Sequence, residues 1–155
     1  MEALKTASDY YKELYKKENT SSHSYFLNNL PQVSSNNNNI LTSPITKKEL
    51  IDIISKLPNN KAPGPDGISY EFYKEKQQLL LPFLLKTFNN ILSNATIPSS
   101  WKTSSIILIP KKSNDKHLIK NWRPIALINA DCKLFMKILA NRLNKNILQK
   151  IISPH

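Results

Sequence analysis

The chain's two glycines, Gly64 and Gly67, both fall in one short run, Lys61-Ala62-Pro63-Gly64-Pro65-Asp66-Gly67. That run can be neither helix nor regular strand. Each proline fixes its own φ, removes a backbone donor and pushes the residue before it out of the helical region. The glycines flank Pro65-Asp66, where a positive φ can be required. Residues 61–67 are therefore expected to be a rigid loop that divides the chain. With no glycine elsewhere, a glycine-rich phosphate cradle outside this loop is excluded. A glycine-poor chain also suits helices.

The hydrophobic pattern supplies helices on both sides of the loop. Residues 1–18 read as an N-terminal helix, with Leu4, Ala7, Tyr11 and Leu14 at helical spacing. Residues 19–43, rich in Ser and Asn and including Asn36 to Asn39, offer little to bury and read as a flexible linker. Thr46 and Glu49 form a capping box, and Ile45 and Leu50 stand at the positions of a hydrophobic staple. Leu50, Ile53, Ile54 and Leu57 then make one apolar face, which Pro58 and Asn59 end. After the loop, a short helix is expected over Ser69 to Lys76. A longer one is expected over about 79–93, with Pro82 in its first turn.

Ile97-Pro98 breaks that helix. Ser104 to Pro110 is a β-branched run that reads as a strand. Lys111 to Lys120 is a polar, basic loop, and Arg123 to Ile128 is the return strand, with Pro124 marking an edge or a bulge. Residues 130–152 are helical again. Leu134, Phe135, Ile138, Leu139, Leu143, Ile147 and Ile151 cover more than one face of that helix, so it needs neighbours on several sides. The fold class is α+β, mostly helical with a short β-hairpin, and no internal repeat is present.

Charge is the next constraint. Residues 1–76 carry ten Lys/Arg against nine Asp/Glu, whereas residues 77–155 carry twelve against two, Asp115 and Asp131. A segment so short of acids attracts phosphate, on nucleic acid or at a membrane surface. Within it, Lys111, Lys112, Lys116, Lys120 and Arg123 gather in thirteen residues, with Trp122 beside the arginine. A strand-held Arg can fork two donors onto phosphate oxygens, a Lys acts as a point charge, and the indole can pack or stack. A solvated basic hairpin is the alternative reading of the same residues. The single cysteine, Cys132, excludes an intrachain disulfide and reads as buried among Leu134, Phe135 and Met136. His23, His117 and His155 lack ligand spacing, so no zinc site is expected. No apolar stretch approaches membrane-spanning length and the N-terminus is mixed-charge, so an intracellular, soluble protein without membrane partners is expected.

Four strings, in order, raise these readings to a family resemblance. They are KAPGPDGISYEFY (61–73), IILIPK (106–111), NWRPIALIN (121–129) and DCKLFMKILANRL (131–143). Together they resemble the opening motifs of non-LTR (LINE-type) retrotransposon reverse transcriptases, over about residues 44–155. One departure is small: Ala126 stands where the family often has Ser.

The resemblance implies an RNA-directed DNA polymerase domain in right-hand form, present here on its fingers side and truncated before the catalytic palm. It implies that Lys111 and Arg123 grip the triphosphate of an incoming dNTP. It implies that Lys61 and Asp66 lie near the RNA template, although an Asp between Pro and Gly also commonly just stabilises a turn. Lys112, Lys116, Lys120 and Trp122 would meet the nucleic acid, RNA template and DNA primer. The complete family enzyme uses Mg²⁺ held by converging carboxylates. The sequence holds no Asp-Asp pair, so no metal ligand and no catalytic residue is expected in this chain, and a palm segment would be the missing partner. Nuclear location follows only from the resemblance. The other readings are a stand-alone basic nucleic-acid-binding module and a helical protein-interaction fragment.

Overall fold

The computed structural model describes residues 2–16, 33–112 and 115–148. They fall into two compact units. One joins the N-terminal segment to residues 106–126. The other comprises residues 33–105 and 127–148.

The larger unit is helical. Its elements are α2 (Ser35–Thr42), α3 (Lys47–Ser55), α4 (Tyr70–Glu75), α5 (Gln77–Asn94), a 3₁₀ turn (Ser99–Lys102), α6 (Ala130–Leu143) and a π turn (Asn144–Leu148). The expected capping box starts α3: the Thr46 hydroxyl accepts from the Glu49 amide, and the Glu49 carboxylate accepts from the Thr46 amide. Both staple residues are buried, Ile45 at 3% exposure and Leu50 at 0%. Asn89 of α5 fixes the approach to α3, donating to the Ile45 carbonyl at 3.1 Å and accepting its amide at 2.6 Å.

The apolar faces of three helices meet at the centre. Leu50, Ile53 and Ile54 of α3 share the core with Leu81 and Phe88 of α5 and with Leu134 of α6. Phe88, Trp101 and Phe135 form an aromatic triangle with ring centroids 5.3 to 6.1 Å apart. On α6 the buried residues are Ala130, Cys132, Leu134, Phe135, Ile138 and Arg142, while Met136 and Leu143 remain about half exposed.

Three expectations change. Part of the expected Ser/Asn linker is helical: Ser35–Thr42 is α2, started by the Ser34 hydroxyl, which accepts from the Asn37 amide. Its weak intrinsic propensity is offset by tertiary contact, since α2 lies against α6. Residues 19–32 of that linker, like residues 17 and 18 of the expected N-terminal helix, lie outside the described residues. Pro82 is the sixth residue of α5, not part of its first turn. Its cost there is one missing bond to the Gln78 carbonyl, on an exposed face of the helix. Finally, α6 ends at Leu143 and continues as a π turn to Leu148. Residues 149–152, the remainder of the expected helix, lie outside the described residues.

The smaller unit joins α1 (Glu2–Leu14) to a two-stranded antiparallel hairpin of β1 (Ser105–Pro110) and β2 (Trp122–Leu127). The Lys111 amide donates to the Asn121 carbonyl at 2.7 Å, which sets the register. Counting back along both strands sets Ile109 opposite Arg123 and Ile107 opposite Ile125. Helix α1 lies along the other face. A groove of about 570 Å³ there is lined by Leu4, Tyr11 and Tyr15 on the helix side and by Ile106, Leu108 and Pro124 on the strand side. The Tyr11 hydroxyl donates to the Trp122 carbonyl at 3.3 Å and ties the helix to β2. Among the described residues no helix is long and apolar enough to cross a membrane.

Candidate nucleic-acid and nucleotide interface

Strand alternation decides which hairpin side chains can act together. Successive residues point to opposite faces. Ile106, Leu108, Pro124 and Ala126 face the groove beside α1. Lys111, Ile109, Ile107, Arg123 and Ile125 therefore share the face turned away from the helix. Arg123 is exposed, and among the described residues its guanidinium has no side-chain partner. Around it Ile107, Ile109 and Ile125 are each 42 to 45% exposed. A cation set in a small apolar patch suits a ligand with both a charged and a planar apolar part.

The connecting loop is stitched to its own backbone. Lys111 Nζ donates to the Lys120 carbonyl at 2.7 Å. The Trp122 indole donates to the Lys116 carbonyl at 2.9 Å, so Trp122 braces the loop and is half-buried. Asp115 accepts the His117 amide through its carboxylate, and its carbonyl accepts from the Asn121 side chain at 2.7 Å. Asp115 therefore serves loop geometry. Lys112, Lys116 and Lys120 are exposed. The hairpin thus brings six of the eight site residues expected from sequence into one loop and strand.

Lys61 and Asp66 belong to the helical unit. Asp66 Oδ1 accepts the Ile68 amide at 3.0 Å, and the Gly67 amide donates to the Gly64 carbonyl at 3.0 Å. Gly67 has φ +72°, the left-handed region that favours glycine. Asp66 is thus a turn-stabilising residue in this loop, and Lys61 is exposed beside it. Nearby, Lys133 sits 5.6 Å from the centroid of the Tyr70 ring, a cation–π contact. Burial, with the negative charges of Asp131 and Asp66, pushes the Tyr73 hydroxyl well above its ordinary range. Burial likewise raises the Cys132 thiol.

Sequence reading missed two residues that organise the helical unit. Arg142 is buried at 6% exposure. Its Nε and Nη2 donate to the Glu49 carboxylate at 2.8 and 2.9 Å, and its Nη1 and Nη2 reach the carbonyls of Leu41, Ser43 and Pro44. The signal was available, because Arg142 stands seven residues after Phe135 and four after Ile138, on the buried face of α6. Asn129, 4% exposed, is the second. Nothing in its sequence context distinguishes it from an ordinary helix cap.

No family model matches the chain. Over 125 residues, 81% of its length, it is 36% identical to the transposon TX1 uncharacterized 149 kDa protein of Xenopus laevis. It is 31% identical over 111 residues to the probable RNA-directed DNA polymerase from transposon BS of Drosophila melanogaster, which matches 72% of the chain. It is 33% identical over 101 residues, 65% of the chain, to the RNA-directed DNA polymerase from mobile element jockey of the same organism.

The chain is homologous to non-LTR retrotransposon reverse transcriptases. The resemblance carried by the four strings is borne out. The chain spans 9, 12 and 11% of the lengths of these three relatives. Against this reverse-transcriptase relationship, the described residues contain no group of three His, Cys, Asp or Glu side chains placed to hold a metal ion. The described residues therefore offer no ligand set for the Mg²⁺ that the resemblance implies for the complete family enzyme.

Proposed function

We propose that these residues form the fingers side of a right-hand RNA-directed DNA polymerase of a non-LTR retroelement. In this reading Arg123 and Lys111 hold the triphosphate of an incoming dNTP. The isoleucines flanking Arg123 offer an apolar surface to the rest of the nucleotide. Lys112, Lys116 and Lys120 neutralise phosphates of RNA template and DNA primer, with Trp122 bracing the loop that carries them. Lys61, on the loop that Asp66 shapes, meets a template phosphate.

The observation that carries this reading is the shared face. In a chain homologous to reverse transcriptases, strand alternation sets Lys111 and Arg123 on the same side of the hairpin, away from α1. The chemical step is assigned to none of these residues. Nucleotidyl transfer with Mg²⁺ needs converging carboxylates, and a palm segment of the polymerase would supply them. A nuclear site of action accompanies the reading.

The test is binding of the chain to single-stranded RNA, followed by fluorescence anisotropy at several salt concentrations. Phosphate neutralisation releases counterions, so affinity should fall steeply as salt rises. Arg123→Ala should lower the slope of log K against log salt by about one contact, because each neutralised phosphate contributes about 0.7 for single strands. Lys47→Ala, at the start of α3, should leave the slope unchanged. Equal effects would reduce Arg123 to one more surface charge and favour a simple basic binding module. Primer extension by these residues alone should give no incorporation. Incorporation above a no-protein control would overturn the assignment of the chemistry elsewhere.

A further inference from the structure

Asn129 occupies the N-cap of α6, with φ −60° and ψ 150°, yet its side chain caps nothing. An Asn at this position normally satisfies a first-turn amide. Asp131 takes up one of those amides instead, its Oδ1 accepting from Cys132 N at 2.7 Å. The Asn129 side chain reaches two remote backbones. Oδ1 accepts the Asp66 amide and Nδ2 donates to the Ser100 carbonyl, each at 3.4 Å. Those bonds are long, but the contact beneath them is close. A Cβ added to Gly64 would lie 2.5 Å from Asn129 N and 2.6 Å from its Cα, and would meet Oδ1 as well. The loop backbone rests directly on Asn129, with no room for a methyl group.

The loop is also stiff. Two prolines, the Gly64 to Gly67 turn and the Asp66 to Ile68 bond fix its shape. The Asn60 amide, at its upstream end, donates to Glu71 Oε1 at 2.6 Å. A stiff loop moves as a body, so its seat decides where Lys61 is held. Among the described residues the Lys61 ammonium has no side-chain partner, which leaves it available to a ligand.

We propose that Asn129 is a positioning residue: with Gly64 pressed against it, it holds the Lys61–Gly67 loop so that Lys61 meets a template phosphate. The inference rests on the template role given to that loop above. Its physical content is preorganisation. A loop already held in place does not have to be ordered when RNA binds, and loosening the seat returns that cost to the binding step.

The test uses the whole chain and a short single-stranded RNA of mixed sequence. Anisotropy titrations are run across salt concentrations, at a temperature where circular dichroism shows each variant folded. Lys61→Ala should lower the salt slope by about one phosphate contact. Asn129→Ala and Gly64→Ala should each lower it by the same amount and weaken binding severalfold. Lys61→Ala combined with Asn129→Ala should show no further loss, because both act through one contact. Asn129→Ser replaces Asn129→Ala if the latter does not fold, and Gly64→Ala tests the seat from the other side. A merely structural role would shift the melt and leave the slope alone. If Lys61→Ala lowers the slope while the Asn129 and Gly64 variants do not, the positioning inference is wrong and the template role stands. If Lys61→Ala itself leaves the slope unchanged, the template role fails and the inference falls with it.

Discussion

Replacing Arg142 with alanine should cost more stability than removing any other charge among the described residues. The guanidinium is 6% exposed and makes two bonds to Glu49 and three to the carbonyls of Leu41, Ser43 and Pro44. Breaking a buried pair by deleting one partner costs about 3–5 kcal/mol, since the other charge is left uncompensated. The Glu49 side chain is 33% exposed, so water recovers part of its solvation and the pair alone falls at the low end. Each of the three carbonyls then loses a bond to a charged donor, and such bonds contribute about 1.5–3 kcal/mol where water cannot replace them. The junction between α2 and α3 can open to water, so we expect a total loss of about 4 kcal/mol. Helix propensity does not explain such a loss, because alanine is the better helix former. For a chain of this size about 4 kcal/mol corresponds to a fall in Tm of about 8–16 °C. Arg142→Lys should recover less than half of it, since an ammonium cannot reproduce the planar fork.

The same contact can be probed with acid. Hydrogen bonding from Arg142, then from Thr46, holds the Glu49 carboxyl at about 2, below its ordinary value of 4.5. A carboxyl lowered by folding stabilises the fold fully above its ordinary value and loses that contribution as pH falls toward 2. Urea melts of the parent chain between pH 6 and 2 should therefore show a loss across that window. The loss should be absent in Arg142→Ala. A cost below about 1 kcal/mol for Arg142→Ala, the range of an exposed pair, would refute the clamp.

Three further outcomes follow from the geometry. Phe88→Ala should cost about 3–5 kcal/mol in a denaturant melt, since Phe88 is 0% exposed and lies against both Trp101 and Phe135. Ala95→Gly should stabilise the chain by about 0.5 kcal/mol in the same assay. Ala95 ends α5 at φ 52°, where an L side chain is strained, and part of the gain is offset by glycine's freedom in the unfolded chain. Cys132 in the native chain should react with iodoacetamide at pH 7.5 far more slowly than in urea, because burial keeps its thiol protonated and covered.

What could be read from sequence was local. Thr46, Glu49, Ile45 and Leu50 lie within six residues, and their chemistry sets the start of α3 wherever the helix packs. The hairpin was legible because β-branched runs flank a polar loop, and its strands begin or end within a residue of the expected limits. Helix α2 was not legible. Its Ser and Asn residues carry little propensity, and Arg142, about a hundred residues away, fastens its end. Arg142 was not singled out, although its spacing after Phe135 and Ile138 marks the buried face of α6. Trp122 was open to packing or stacking, and only the Lys116 carbonyl identifies it as a brace. The seat of Gly64 on Asn129 leaves no sequence signal at all, because close approach of two backbones depends on how α6 meets a loop some sixty residues earlier.

The smaller unit has a consequence for how the chain is made. Tyr11 and the Trp122 carbonyl that it bonds are 111 residues apart. At translation rates of about 5–20 residues per second, α1 leaves the ribosome roughly 5–20 s before its strand partner exists. A single short helix in water is marginal over that interval. Its stripe of Leu4, Ala7 and Tyr11 stays wet until β2 emerges. Closing so long a loop costs little more than closing one half its length, since the penalty grows only with the logarithm of length. The delay in forming this unit is therefore set by synthesis, with little added by chain entropy, and protease sensitivity of α1 in stalled nascent chains should end only once residues beyond Leu127 have cleared the exit tunnel.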